Sequence, residues 1–515
     1  MRHGSRASAA RFGHRLLDLT LDEIWGRRVR RAYSGAGAAQ LARLFSGPMP
    51  ENGTGDTRLL RELRDGVFRH SMRMNHPRLF GLFTPAPLPI AAFAELPAAF
   101  MNQAVDAWKA GPAATEIEKR LVRWMNDRVG YGPRAFGVLT SGGGLANAIA
   151  LKMARDRAAG IEIRRLGVAA PGLARLRVYA SDQAHFSVGR ALDLLGLGTR
   201  ALVLVPTDAS RRMRGAPLER LLRRDRGRGL LPMAVVATAG TTVTGSLDPL
   251  PELARVARGA GAALHVDAAY GGALLFSNRH RGLLEGIERA DTVTFDPHKW
   301  LFQPFSLGAL LARDGAALRR SFSIEPDYLR KDLETERDRL DFFQYTLEGS
   351  KPFRGLKLWM SLRSLGRRGL GDLVDGTIEV ARHLAARVTA DPRFEDCGAP
   401  VDLASVCVRY LPAWARDRER AWRRRPAVRT RLNRVQGALQ GEVERRGFAW
   451  FPIVRLDGEV YFRLGIFNPR TTTRDVDATL AHVVAIARAL GLERPPGPVR
   501  RRRPRPGPAA PSGRR

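Results

Sequence analysis

Between residues 133 and 311, short apolar runs alternate with segments whose apolar positions recur at helical spacing. Runs of this length that are rich in aliphatic, β-branched and aromatic residues predict buried strands. We predict strands at residues 136–140, 177–180, 201–205, 234–238, 263–266, 292–295 and 307–311. Strands that alternate with helices are typical of an α/β fold whose sheet is mostly parallel.

The segments on either side depart from this alternation. Residues 12–33 have apolar positions at helical spacing, which predicts an N-terminal arm. After residue 376 the pattern predicts a smaller α+β part, with strands near 405–410 and 460–464. We divide the chain into an N-terminal segment 1–110, a large domain 111–375, a small domain 376–493 and a tail 494–515. The tail is rich in Arg and Pro without hydrophobic periodicity, so we expect it to be disordered.

One lysine follows the predicted strand 292–295, in the stretch Asp296-Pro-His-Lys-Trp300. Ligands of parallel sheets bind at the carboxyl ends of the strands, so Lys299 is placed where a cofactor would lie. A lysine amine in such a place can form a Schiff base with pyridoxal phosphate. A lysine at a strand end is more often simply solvated, so the interpretation of Lys299 as a Schiff-base lysine depends on further motifs in the sequence.

A carboxylate ends the neighbouring apolar run, in His265-Val-Asp-Ala-Ala-Tyr270. Asp267 is a natural partner for the ring nitrogen of pyridoxal phosphate, because a carboxylate keeps that nitrogen protonated and the ring electron-poor. The small residues Ala268 and Ala269 leave room for a flat ring. The alternative for an isolated aspartate after a strand is that it caps the next helix.

Two upstream stretches complete the candidate site. Ser141, Gly142, Gly143 and Gly144 form a glycine turn between a strand and a helix, where backbone N–H groups can face a phosphate. His185 follows the predicted strand 177–180, from which an imidazole can stack on a cofactor ring. Taken alone, a glycine turn is common and a single histidine is more often a structural hydrogen bonder.

With these motifs the chain resembles the group II pyridoxal-phosphate-dependent amino-acid decarboxylases, the family of aromatic-amino-acid, glutamate and cysteine-sulfinate decarboxylases. The resemblance covers roughly residues 60 to 490 and keeps the family's motif order. The motifs are His76-Pro-Arg-Leu-Phe-Gly81, Pro112-Ala-Ala-Thr-Glu-Ile-Glu118, Thr140-Ser-Gly-Gly143, Ser181-Asp-Gln-Ala-His185, Ala237-Thr-Ala-Gly-Thr-Thr242, His265-Val-Asp-Ala-Ala-Tyr270, Asp296-Pro-His-Lys-Trp300 and Phe467-Asn-Pro-Arg-Thr-Thr472.

The resemblance implies a fold type I transferase-like architecture with pyridoxal phosphate in residues 111–375 and no metal. It also implies a homodimer whose N-terminal arms, within 1–110, pack across the interface. The implied roles are Lys299 as Schiff-base lysine, Asp267 against the pyridine nitrogen, His185 stacked on the ring, Thr242, Ala269 and His298 beside the cofactor, Phe83 and Thr84 along the substrate side chain, and Tyr328 as proton donor in a lid at 324–339.

Two residues depart from the family pattern. Gly144 stands where relatives often have Ser or Thr on the phosphate, and Asp296 replaces the Asn that some relatives use. The phosphate is then expected to rely more on backbone N–H groups and on Ser141. Weaker cofactor retention is one expected consequence.

The implied reaction converts an L-amino acid to its amine and CO2. One alternative is oxidation by oxygen to an aldehyde, but Tyr328 and His185, which such relatives often alter, are both retained. Another alternative is a non-catalytic polyanion-binding relative. Phe83 and its neighbours suit an aromatic ring or a compact chain, and Arg354 is a weaker candidate for a substrate-carboxylate contact.

The net charge of +34, from 85 Lys and Arg against 51 Asp and Glu, raises the question of nucleic-acid binding. The arginines are scattered over predicted helices without a nucleic-acid motif, so we expect no specific nucleic-acid partner.

No apolar run is long enough to span a bilayer, so we expect no membrane association. The two cysteines, Cys397 and Cys407, form no disulfide framework and favour the cytoplasm.

Overall fold

The computed structural model describes residues 4–25, 31–160, 163–324 and 339–494. A seven-stranded sheet forms its centre, and every strand predicted between residues 133 and 311 is present. The strands are β1 Phe136–Thr140, β2 Leu176–Ser181, β3 Leu202–Val205, β4 Leu231–Thr238, β5 Ala263–Ala268, β6 Thr292–Phe295 and β7 Gly308–Ala312. Strands β5, β6 and β7 are buried along their whole length, as their apolar sequences predict.

The strand order is β1-β7-β6-β5-β4-β2-β3. Strands β2 to β6 pair in parallel, whereas β7 runs antiparallel to both β6 and β1. Because two antiparallel pairings restore the original direction, β1 points the same way as the parallel strands. The carboxyl ends of β1, β2, β4, β5 and β6 therefore meet at one edge of a mostly parallel sheet, which confirms the predicted fold class.

Helices cover both faces of this sheet and extend the chain beyond it. They are α1 Arg6–Trp25, α2 Ala38–Leu44, α3 Asp56–Glu62, α4 Pro89–Met101, α5 Pro112–Val129, α6 Gly143–Ala159, α7 Ile163–Leu166, α8 Ser187–Leu194, α9 Gly215–Gly227, α10 Leu250–Gly259, α11 Gly315–Phe322, α12 Gly355–Ala390, α13 Ala413–Arg416, α14 Arg420–Arg423, α15 Pro426–Arg446 and α16 Thr473–Ala489. None of these helices has the length and apolarity to cross a membrane.

A second, antiparallel sheet has the order β10-β11-β9-β8. Its strands are β8 Phe394–Asp396, β9 Ser405–Tyr410, β10 Ile453–Leu456 and β11 Glu459–Gly465. The predicted strands at 405–410 and 460–464 correspond to β9 and β11, while β8 and β10 were not predicted. Helix α12 packs against α4 and α5 as well as β8 and β9, and it spans the proposed domain boundary at residue 375.

Three parts of the sequence interpretation lie outside the described residues. The end of the predicted arm falls partly on residues 26–30, the lid with Tyr328 falls on residues 325–338, and the tail falls on residues 495–515. These interpretations stay predictions.

A buried ion pair anchors β1 against the segment that precedes α12. The Lys351 ammonium contacts the Glu118 carboxylate of α5, and both side chains are fully buried. Glu118 Oε1 also accepts a hydrogen bond from the backbone N–H of Leu139 in β1 at 3.0 Å. Burial lowers the pKa of Lys351 well below its usual value. The pair therefore fixes the strand that leads into the glycine turn.

Breaking this pair from one side should destabilise the fold. In Glu118→Gln the Lys351 ammonium stays buried without its counter-charge, so we expect the free energy of unfolding to fall by about 3–5 kcal/mol. Urea unfolding followed by circular dichroism measures the change. The double variant Glu118→Gln/Lys351→Met removes both charges and should regain most of the loss. Equal stability of Glu118→Gln and the unaltered protein would contradict the prediction.

Candidate active site

A cavity opens at the sheet edge where the carboxyl ends of the parallel strands meet. Its lining brings together many of the residues predicted from the motifs, although they are far apart in sequence. The lining residues are Phe83, Gly143, Gly144, Asn147, His185, Thr238, Gly240, Thr242, Asp267, Ala269, Tyr270 and Lys299.

Asp267 near the end of β5 is held by two hydrogen bonds. Its Oδ2 accepts from the Asn147 side-chain amide at 2.8 Å, and its Oδ1 accepts from the Ala269 N–H at 3.1 Å. Asn147 lies in the second turn of α6 and is buried. The carboxylate is therefore fixed in orientation at the cavity wall, with an acceptor available for a ring N–H.

His185 follows β2 and is fixed through the first residue of α8. Its Nδ1 lies 2.8 Å from Ser187 Oγ, and Ser187 Oγ accepts from the Asn147 amide at 2.9 Å. Burial lowers the pKa of His185, an effect to which the nearby Lys299 contributes and which Asp267 partly opposes. The imidazole is thus neutral near pH 7, which suits a stacking role better than an ionic one.

Lys299 extends from the turn after β6 into the cavity. Its Nζ lies 3.1 Å from Asp296 Oδ2 and 5.6 Å from the centroid of the Phe83 ring. The lysine side chain is 22% exposed, whereas Asp296 is almost wholly buried. The next residue, Trp300, is fully buried and donates from Nε1 to Thr377 Oγ1 of α12 at 2.9 Å. This anchor fixes the backbone that carries the amine.

His298 supports the same turn from beneath. Its Nδ1 accepts from the Leu307 N–H at 2.9 Å, which leaves the ring proton on Nε2, 3.5 Å from Asp296 Oδ2. Burial lowers the pKa of His298 to about 4. His298 is therefore a neutral donor beside the carboxylate, and it does not itself line the cavity.

The glycine turn places the N-terminus of α6 at the cavity. A Cβ at Gly143 would lie 2.9 Å from Asp296 Oδ2 and 3.1 Å from the Ala269 Cβ, whereas a Cβ at Gly144 would meet no atom within 4 Å. The first N–H groups of a helix lack partners within the helix and attract anions. Close packing at Gly143 thus brings these groups to the cavity wall.

These groups fit pyridoxal phosphate. The amine of Lys299 suits its aldehyde, the Asp267 carboxylate its ring nitrogen, the His185 imidazole its ring face and the α6 N-terminus its phosphate. Thr238 also lines the cavity, and its buried Oγ1 has no hydrogen-bond partner within the described part of the chain.

Other predicted residues take different positions. Ser141 is exposed beside the turn, and Thr242 lines the cavity while its carbonyl accepts from Arg463 Nη1 at 2.6 Å. Thr84 lines a separate apolar groove beneath α1, on the other side of the loop from Phe83. The role proposed for Thr84 therefore has no support from the shape of this cavity.

Comparison with known proteins identifies the family. Residues 39–411 match the family model described as the pyridoxal-dependent decarboxylase conserved domain. The chain belongs to this family. It is 32% identical to the aromatic-L-amino-acid decarboxylase of Bacillus atrophaeus, over 94% of this chain and 96% of that protein. It is 35% identical to the L-2,4-diaminobutyrate decarboxylase of Rhizobium meliloti, over 92% and 90% of the two chains.

The fold of this pyridoxal-dependent decarboxylase is similar to that of the solved structure of mouse CSAD in apo form. The TM-score is 0.87 at 26% identity, and the match covers 94% of this chain and 99% of the mouse chain. The family, fold type, decarboxylase activity and cofactor expected from the sequence are thereby confirmed.

Sequence reasoning missed four of the lining residues, which are Asn147, Thr238, Gly240 and Tyr270, and it also missed Arg463 beside Phe83. Asn147 joins Asp267 to the His185–Ser187 pair, and Arg463 of β11 lies with its guanidinium carbon 4.7 Å from the centroid of the Phe83 ring. The signal for Arg463 was an arginine within the apolar run Val460-Tyr-Phe-Arg-Leu464. Nothing local distinguishes Asn147 from any polar helix residue.

The two glycines give a matched test of the turn. In Gly143→Ala the new Cβ must displace Asp296 or Ala269, and such overpacking costs about 1–3 kcal/mol. We therefore expect pyridoxal phosphate to bind about ten- to hundredfold more weakly, as measured by absorbance titration of the cofactor-free protein. Gly144→Ala meets open space and should bind as the unaltered protein does. Equal affinities of the two variants would contradict this account of the turn.

Proposed function

We propose that this chain decarboxylates an L-amino acid with Lys299, Asp267 and His185 as the groups that contact cofactor or substrate. The observation that carries the proposal is their convergence, with the N-terminus of α6, on one cavity. Bound pyridoxal phosphate supplies an electron sink for the electron pair left when the bond to the carboxylate breaks. The remaining steps are assigned to groups of this chain.

In this proposal Asp267 accepts the ring N–H of the cofactor and keeps that proton in place. The support is its fixed orientation between the Asn147 amide and the Ala269 N–H. Lys299 Nζ provides the amine that holds the cofactor, and Asp296 at 3.1 Å holds this amine before loading. His185 covers the ring as a neutral imidazole. Tyr328, which lies outside the described residues, is proposed from the resemblance to deliver the proton that the α-carbon takes up after CO2 leaves.

Arg463 is proposed to bind a carboxylate of the amino acid. Its guanidinium carbon lies 4.7 Å from the centroid of the Phe83 ring, and Lys299 Nζ lies 5.6 Å from the same centroid. Arg463 Nε is buried without a hydrogen-bond partner among the described residues, which leaves donor capacity for a ligand. Arg354, the arginine considered from the sequence, is instead bound by both oxygens of Glu348.

The substrate side chain is proposed to lie along Phe83. The Phe83 ring packs at 4.9 Å from Tyr270 and 5.0 Å from Phe467, so its position is fixed by an aromatic cluster. Relatives in this family are named for aromatic amino acids and for L-2,4-diaminobutyrate, so a panel of side chains is the appropriate test.

We further propose a homodimer in the cytoplasm. Segment 1–110 exposes several large apolar side chains, including Met49 at 83% and Phe100 at 79% exposure, which a partner subunit would cover.

Cys397 and Cys407 lie opposite each other at the end of β8 and in β9, yet both are free thiols, which suits a reducing compartment. The divisions at residues 110 and 375 remain proposals.

The activity is tested by measuring CO2 and amine from a panel of aromatic, acidic and basic L-amino acids. We expect at least one amino acid to be converted, and Lys299→Ala to abolish both turnover and the absorbance of the lysine-bound cofactor. The control is Lys119→Ala, at a half-buried lysine of α5 that is paired with Glu116, and it should be fully active. Full activity of Lys299→Ala would overturn the assignment.

A second experiment tests the carboxylate contact. A hydrogen bond to a charged group contributes about 1.5–3 kcal/mol, so Arg463→Gln should raise KM about ten- to hundredfold. Arg354→Gln, at an arginine already paired within the protein, should leave KM close to that of the unaltered enzyme. Steady-state kinetics on the best substrate of the panel measures both. A rise in KM for Arg354→Gln but not for Arg463→Gln would reverse the assignment.

A further inference from the structure

The residue directly after β6 is a buried carboxylate with an incomplete set of partners. Asp296 is 2% exposed, and its Oδ2 lies 3.1 Å from Lys299 Nζ and 3.5 Å from His298 Nε2. Its Oδ1 is buried and has no hydrogen-bond partner within the described part of the chain. A buried carboxylate needs a counter-charge or a proton. In this arrangement Lys299 supplies the counter-charge.

The same carboxylate lies against the turn proposed to hold the cofactor phosphate. A Cβ at Gly143 would lie 2.9 Å from Oδ2, and a Cβ at Gly308 would lie 2.6 Å from both Oδ1 and the Gly142 Cα. Asp296 therefore fills the space directly beneath the N-terminus of α6. A phosphate bound by that N-terminus would meet a second anion at short range, where burial strengthens their repulsion.

The surrounding charges do not offset this repulsion. His298 is neutral, because burial lowers its pKa to about 4, and the α6 and β7 residues in contact with Asp296 are the uncharged Gly143 and Gly308. Across the cavity, burial lowers the pKa of His185, so this imidazole is neutral as well and supplies no positive charge. Lys357 acts on His298 from α12 but is paired with Glu95. Lys299, whose Nζ lies 3.1 Å from Asp296 Oδ2, is the cation paired with this carboxylate, and cofactor loading consumes its amine.

We propose that Asp296 takes up a proton from solvent when the cofactor binds, and that this proton is shared in an O–H···O hydrogen bond between Asp296 and the phosphate. The inference rests on the proposed phosphate site at α6. The proton removes the like-charge contact and gives the carboxylate a short, charge-assisted hydrogen bond. Asp296 is thus a positioning residue that couples cofactor retention to pH. Retention should weaken as pH rises, because the proton becomes harder to acquire.

The test uses the full chain, freed of cofactor, and pyridoxal 5′-phosphate, whose aldehyde consumes the Lys299 amine in the variant and in the unaltered protein alike. Calorimetric titration at pH 8 in buffers of different ionisation enthalpy gives both the affinity and the protons taken up. We expect the unaltered protein to take up about one more proton than Asp296→Asn. We also expect Asp296→Asn to bind on the order of tenfold more tightly, because it removes a like charge next to the phosphate.

The matched control is Asp291→Asn, which removes the same charge at the opposite end of β6 and should behave as the unaltered protein does. Pyridoxine, which lacks the phosphate, should bind equally to Asp296→Asn and the unaltered protein. If Asp296→Asn does not fold by circular dichroism, Asp296→Ser gives the same comparison. Equal proton uptake in both proteins, or weaker binding by the variant, would overturn the inference. Failure of pyridoxal 5′-phosphate to bind any version would instead overturn the proposed cofactor site.

Discussion

One buried amide, that of Asn147, connects the parts of the site. Its Nδ2 donates to Asp267 Oδ2 and Ser187 Oγ, and its Oδ1 accepts from Thr294 Oγ1 at 2.7 Å and faces His265 Nε2 at 3.0 Å. An amide offers two donors and two acceptor positions, and all of them are used here. Helix α6 is thereby joined to β5, β6 and α8, so the glycine turn, the carboxylate and the imidazole keep fixed relative positions.

The histidine of this network, His265, is neutral near pH 7. Burial lowers the pKa of His265 to about 4, and its Nδ1 lies 2.9 Å from Thr292 Oγ1. With the proton on Nε2, His265 donates to Asn147, whose Nδ2 group then points at Asp267. The orientation of the Asp267 carboxylate is therefore set by the tautomer of a histidine that does not line the cavity. Such indirect support is what allows a polar site to be rigid inside an apolar sheet.

The central sheet and the groups at its carboxyl edge were predictable from the sequence, because each signal is local. A buried parallel strand is an apolar run, and Lys299, Asp267 and His185 each lie within five residues of the end of such a run. The strands that escaped prediction lack this signal. Strand β8 has only three residues, and β10 alternates between exposed and buried positions on the edge of the small sheet. Short edge strands are defined by their pairing partner more than by their own residues.

The polar partners were not predictable, because they depend on contacts between distant parts of the chain. Asn147 and Asp267 are separated by 120 residues, and Arg463 and Thr242 by 221. The strongly basic composition of the chain does not predict the charges at the cavity either. At the cavity, Lys299 Nζ lies 3.1 Å from Asp296 Oδ2, and interactions among buried groups are screened far less than those at the surface. A motif therefore identifies the candidate amine, whereas the polar groups around it become neighbours only when the fold brings them together.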